Sequence, residues 1–125
     1  MRVGIIDHMD CAHALPGIDG GEGVHGHTYK VEVVVQGDYK GGMLIDFKAL
    51  REQARQAMAA FDHRNLNEVL SFPSVENLCL AIFHDLAARQ PGLVSVRLWE
   101  GATKWAEVNL DDPSPRKEPP RVVRP

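Results

Sequence analysis

The chain has 125 residues, 44% of them hydrophobic and 25% charged, with a net charge of −3 and a pI near 6.0. That length builds one domain with a modest core, and the composition is that of a soluble globular protein. The acidic balance argues against nucleic acid or an anionic membrane as the main partner, no apolar run approaches the ~20 residues that span a bilayer, and residues 1–10 lack the apolar stretch of a secretion signal.

Val3 to His13 reads as a strand, with Val3, Ile5, Met9, Cys11 and His13 on one parity. A loop rich in glycine follows, containing Pro16, Gly17, Gly20, Gly21 and Gly23. His27 to Gln36 is the clearest strand: Tyr29, Val31, Val33 and Val35 alternate with Thr28, Lys30 and Glu32. Asp46 suits the N-cap of an amphipathic helix whose apolar stripe is Phe47, Leu50, Ala54, Ala57, Met58 and Phe61. Asp62 to Asn67 reads as a polar loop. A second helix starts near Pro73-Ser74, carries Val75, Leu78, Cys79, Ile82, Phe83 and Leu86 on one face, and stops at Pro91-Gly92. Val94 to Glu100 and Lys104 to Leu110 read as two further strands.

Residues 1–111 are expected to form the domain and residues 112–125 an extended or flexible tail, since the last fifteen residues hold five prolines and little apolar surface. The order of elements, ββααββ, predicts an α+β fold: a four-stranded antiparallel sheet with both helices on one face. Such a sheet leaves two open edges, which edge-to-edge assembly of several copies would satisfy. Two cysteines, Cys11 and Cys79, give no disulfide framework, so a reducing cytoplasm is the expected compartment.

His25-Gly26-His27 opens the second strand, with His13 in the strand before it. An i, i+2 pair in extended chain puts both imidazoles on one face, and a third from a neighbouring strand could close three corners of a zinc tetrahedron. Three protein nitrogens leave the fourth corner open, as catalytic zinc sites do; a surface His pair at a strand end is the plain alternative. Glu100 shares parity with Val94, Val96 and Leu98, so it sits on the apolar face and needs partners: either a ligand with two adjacent N–H groups, or Lys104 or Arg97. Asp62-His63 could hold an imidazole ready for proton transfer, or could simply cap the preceding helix. Glu22 is a candidate general base or a solvated loop acid. Cys11 faces the same way as His13, as packing or as a thiol near the metal, and as a fourth ligand it would make the site structural. Ser74 suits a helix N-cap, and Glu76 suits the first turn.

Taken together, Ala12-His13, His25-Gly26-His27 with Tyr29, Met43-Leu44-Ile45-Asp46-Phe47, Asp62-His63-x-x-Leu66-Asn67, Pro73-Ser74-x-Glu76-Asn77-Leu78 and Glu100 resemble the 6-pyruvoyl-tetrahydropterin synthase family. That family includes 6-carboxytetrahydropterin synthase of queuosine biosynthesis. The resemblance implies the tunnelling fold, with sheets joined edge to edge into a barrel, commonly a homohexamer of two trimers. It implies that His13, His25 and His27 bind Zn2+, that Asp62 and His63 relay protons across a subunit boundary, and that Glu100 anchors the pterin ring. It places Ser74 and Glu76 at the pterin pocket. The family's usual cysteine, four residues before the first His of His-Gly-His, is replaced here by Gly21, and Glu22 follows it. Glu-x-x-His-Gly-His is similar to the branch in which glutamate stands in for cysteine, associated with folate biosynthesis. The expected activity is a zinc-dependent lyase acting on 7,8-dihydroneopterin triphosphate, giving 6-hydroxymethyl-dihydropterin or 6-carboxytetrahydropterin. The alternative is a non-catalytic pterin- and zinc-binding homologue that lost activity with its cysteine.

Overall fold

The computed structural model describes residues 1–112, 119, 121 and 122. Four strands, β1 (Arg2–His13), β2 (His25–Gln36), β3 (Leu93–Glu100) and β4 (Lys104–Asn109), form one antiparallel sheet in the order β1-β2-β3-β4. Two helices, α1 (Phe47–Met58) and α2 (Val75–Arg89), lie between β2 and β3 in the chain, with a short 3-10 turn at Leu66–Glu68. This is the expected α+β arrangement. No helix among the described residues is long and apolar enough to cross a membrane.

Alternation sets which face of the sheet is covered. Met9, Tyr29, Val31, Val33, Val96 and Leu98 are buried against Leu50, Ala54, Leu78, Ile82 and Leu86 of the helices. The other parity, including Lys30, Glu32, Arg97 and Trp105, faces outward. Both helices begin at the expected caps: the Asp46 carboxylate accepts from the Lys48 N–H at 2.9 Å, and the Ser74 hydroxyl accepts from the Asn77 N–H at 3.1 Å. The β3–β4 turn needs a left-handed residue, which Gly101 supplies at φ 69°.

Three expectations shift. β2 begins at His25 rather than His27, because residues 25–27 continue the ladder with β1: His13 pairs with His25, Ala12 with Gly26 and Cys11 with His27. Phe47 is 53% exposed, since the buried face of α1 begins at Leu50. The polar loop contains the 3-10 turn, capped by the Asn65 side chain and anchored by fully buried Leu66. The tail is fastened where it is described: Pro119 is buried, and Arg121 forms an antiparallel bridge with Leu70. Of the four tail cations that the sequence would allow to lean towards a triphosphate, Arg121 is described, and Arg116, Lys117 and Arg124 lie outside the described residues.

The edge of β1 is half covered. Residues 63–65 run parallel to its histidine end, with the His63 N–H donating to Asp10 O at 2.7 Å and the Ala12 N–H to Arg64 O at 3.0 Å. Among the described residues, neither the remainder of that edge nor β4 has a second strand beside it.

Candidate metal centre

The β1–β2 register sets His13 directly across from His25, with His27 one step along the same face. The three rings stand edge-on to one another, with centroids 4.6, 5.0 and 4.8 Å apart. Each outer nitrogen is accounted for in two of them. His13 Nδ1–H donates to the Pro73 carbonyl at 2.7 Å, and His25 Nδ1–H donates to the Gly23 carbonyl at 2.7 Å. A carbonyl can only accept, so both rings present Nε2 lone pairs inward. Those two nitrogens are 3.1 Å apart. Two facing lone pairs at that distance need a cation between them, a proton or a metal. Two zinc ligands at 2.0–2.1 Å in a tetrahedron would sit roughly 3.3 Å apart. The Nε2 of His27 is buried with no hydrogen-bond partner, and the three ligand nitrogens lie within 4.8 Å of one another. The donor set therefore fits a divalent metal of zinc's preference. Burial first, then the neighbouring imidazoles and Lys104, lower the pKa of His27 against the opposing pull of Glu100.

Glu100 ends β3 opposite Tyr29, on the imidazole face. Its side chain is 14% exposed, 3.6 Å from His27 Nε2 and 3.5 Å from Lys104 Nζ. Lys104 is thus a partner, whereas Arg97 is taken by Glu107 at 3.0 Å. Cys11 stays outside the ligand set: its thiol donates to the Phe61 carbonyl at 3.2 Å, and burial, followed by Asp62 and Asp10, pushes its pKa up to about 12. The thiol therefore points to a backbone carbonyl and not into the group of three imidazole nitrogens.

Asp62 and His63 form a pair, with His63 Nδ1 2.9 Å from Asp62 Oδ1. Asp62 also accepts from the Asp10 N–H at 3.0 Å. His63 has φ 61°, a region that a non-glycine residue occupies at a cost, and its bond to Asp10 O holds it there. His63 borders a cleft of about 560 Å³ lined by Asp10, Ala12, Gly26, Thr28, His27, Cys11 and residues 63–65. Four of its six strand residues, Asp10, Ala12, Gly26 and Thr28, belong to the outer parity, so the cleft opens largely on the sheet face opposite the helices. Glu22 is exposed in the loop before β2, next to Gly23, whose carbonyl orients His25. Ser74 is half-buried and occupied as the α2 cap, one residue after the carbonyl that holds His13, while Glu76 is exposed on the first turn.

The orienting carbonyls of Pro73 and Gly23 escape a reading of side chains, because any residue supplies a carbonyl. Asn67 is a further positioning group: its amide both accepts from Ala14 N–H at 2.7 Å and donates to Ala14 O at 2.8 Å, clamping the residue after His13.

The fold is an α+β domain in which paired strand ends bring three imidazoles together beside a largely buried carboxylate. The family model described as 6-pyruvoyl tetrahydropterin synthase matches residues 3–111. The chain belongs to that family of pterin-biosynthesis enzymes. It is 41% identical over 109 residues to an Archaeoglobus fulgidus protein provisionally named a 6-carboxy-5,6,7,8-tetrahydropterin synthase, covering 86% of this chain and 95% of that one. It is 40% identical over 96 residues to the dihydroneopterin monophosphate aldolase of Pyrococcus furiosus, covering 74% and 83%. The Caenorhabditis elegans 6-pyruvoyl tetrahydropterin synthase structure shares the fold, with a TM-score of 0.78 at 21% identity over 87% of this chain and 94% of that one.

Proposed function

We propose that the protein is a zinc-dependent carbon–carbon lyase that cleaves the side chain of 7,8-dihydroneopterin triphosphate to give 6-hydroxymethyl-dihydropterin. The carrying observation is the facing pair of His13 and His25 Nε2 atoms, 3.1 Å apart with both Nδ1 positions committed, beside the buried His27 Nε2, which makes no hydrogen bond. Zinc held by these three nitrogens supplies a Lewis acid for substrate hydroxyl oxygens. Glu100 accepts from the pterin's ring N–H and exocyclic amine and so fixes where the side chain lies. Glu22 takes the proton from the hydroxyl on the second side-chain carbon. The bond between the first two side-chain carbons breaks, the pterin imine takes up its electron pair, and the second carbon leaves as a phosphorylated aldehyde. His63, its Nδ1–H held by Asp62, returns a proton to the first carbon. The Cys11 thiol is turned to the Phe61 carbonyl, which in this reading leaves Glu22 as the base. The name of the Pyrococcus furiosus relative supports cleavage of this bond type. Ser74 and Glu76 lie where α2 meets the His13 carbonyl partner, which suits the mouth of a pterin pocket.

The active unit in this reading is a homo-oligomer, two trimers joined as a hexamer, with Asp62-His63 serving a neighbour's metal. The open edges of β1 and β4 support edge-to-edge pairing. Exposed Ile6, Tyr39, Met43 and Phe47 supply apolar surface for contact between copies.

Mass spectrometry of the product from zinc-supplemented protein and 7,8-dihydroneopterin triphosphate tests the reading. The expected product is 6-hydroxymethyl-dihydropterin. A 6-carboxytetrahydropterin mass would reassign the chemistry towards the name carried by the Archaeoglobus fulgidus relative. Zinc and pterin binding without turnover would leave a binding protein, the reading that Gly21 favours because glycine carries no transferable proton.

A further inference from the structure

Residues past 111 lie outside the family match, yet part of that segment is fastened beside the site. Pro119 is buried. The Val122 N–H donates to Val69 O at 3.1 Å, the Ser71 hydroxyl donates to Arg121 O at 3.4 Å, and Leu70 and Arg121 bridge as an antiparallel pair. The Arg121 guanidinium carbon sits 5.1 Å from the centre of the Phe61 ring, a cation–π distance.

Both stretches it touches lead into the site. Phe61 directly precedes Asp62-His63, and its carbonyl receives the Cys11 thiol. Val69–Ser71 leads through Phe72 to Pro73, whose carbonyl receives His13 Nδ1–H. From the α2 side this connection is tied by the Asn77 amide, which donates to Phe72 O at 2.8 Å. On the other side, Leu70 is bonded back to Leu66, and Val69, Leu70 and Ser71 meet the tail. Residues 69–74 belong to no helix or extended strand, so backbone ties of this kind set where the Pro73 carbonyl points.

We propose that Arg121 and Val122 form a positioning strap: they hold the Val69–Pro73 connection so that the Pro73 carbonyl fixes the ring of His13. The strap rests on the reading of His13 as a metal ligand. An acceptor on the outer nitrogen of such a histidine fixes its tautomer and orientation, and losing that acceptor costs about 10- to 100-fold in metal affinity.

The test compares the intact chain with Val122→Pro, which deletes the donor to Val69 O, and with a chain ending at Asp112. One readout is the 1H–15N signal and exchange protection of His13 Nδ1–H in zinc-free protein. The other is zinc affinity by chelator competition. Both variants are expected to lose His13 protection and to bind zinc about tenfold more weakly, while Arg121→Lys retains both properties. Unchanged protection and zinc affinity within twofold in Val122→Pro would overturn the strap; should the shortened chain fail to fold, that variant decides. If the intact chain takes up no zinc, the metal reading fails by itself, and the zinc-free His13 signal still decides the strap.

Discussion

Glu100→Gln separates a ligand anchor from a structural ion pair. Among the described residues the Glu100 carboxylate makes ion-pair contacts with Lys104 Nζ at 3.5 Å and His27 Nε2 at 3.6 Å. Lys104 is 68% exposed, so solvent screens that pair, which is worth about 0–1 kcal/mol to folding. The substitution keeps the shape, so the loss of stability should stay below about 1 kcal/mol. Towards a pterin the change is larger. A carboxylate can accept from two adjacent N–H groups, whereas a carboxamide turns an NH2 towards one of them. Losing a charge-assisted bond costs about 1.5–3 kcal/mol, which is about 10- to 150-fold in Kd.

The assay is titration of zinc-loaded Glu100→Gln with a dihydropterin, alongside metal content and Tm. The expected pattern is a Kd raised within that range with metal content and Tm little changed. A ligand Kd within threefold of the unaltered protein, together with a lowered Tm, would refute the anchor and leave Glu100 as a partner of Lys104.

Glu22→Ala should lower kcat about 10²- to 10⁴-fold while zinc and pterin affinities hold, since the side chain is exposed and tied to no described structure; full turnover would remove Glu22 from the chemistry. Chelation should abolish turnover and zinc should restore it, and a chain that remains fully active with metal far below stoichiometry would refute metal dependence. Asp7 gives a pH signature. Burial raises its pKa, but the His8 N–H, Arg55 and Arg51 more than offset this and hold it below 3.8. A carboxylate lowered in the folded state contributes stability above its unfolded pKa and loses it as pH falls through the folded value. Asp7→Asn should therefore cost about 0.5–1.5 kcal/mol at neutral pH, and the difference should vanish in acid below 3.8. Urea unfolding at several pH values measures it, and a pH-independent difference would refute the assignment.

The parts legible in the sequence are those encoded in parity. Tyr29, Val31, Val33 and Val35 announce a half-buried strand, and the same count of two carries His25 and His27 onto one face and Glu100 onto the apolar side of β3. The start of β2 at His25 was hidden because glycine has no strand preference; pairing of Gly26 with Ala12 extends the ladder. Phe47 fits the helical period, yet periodicity does not say where along α1 burial begins. Least legible were groups without side-chain identity: the carbonyls of Pro73 and Gly23 that choose the imidazole tautomers, and the Val69 carbonyl that receives the tail. The Cys11 thiol meets the carbonyl of Phe61, fifty residues away in sequence, so its parity could place the thiol but not name its partner.

Parity also bears on how the two halves of the site meet. His13, His25 and His27 lie on the helix-covered face, while the cleft at Asp62-His63 is built mostly from Asp10, Ala12, Gly26 and Thr28 of the opposite face. The pair stands at the edge of β1, and we predict that it relays protons to the metal of an adjoining copy. Two inactive variants then become complementary. His25→Ala removes a metal ligand and leaves the relay; His63→Ala does the reverse. After subunit exchange of equal amounts, a site that draws its halves from different chains finds both intact in about one quarter of cases. Recovery approaching a quarter of the unaltered rate would support the shared site. No recovery from two variants that each fold, assemble and exchange would refute it, and would return Asp62-His63 to the structural role of closing the end of α1 against β1.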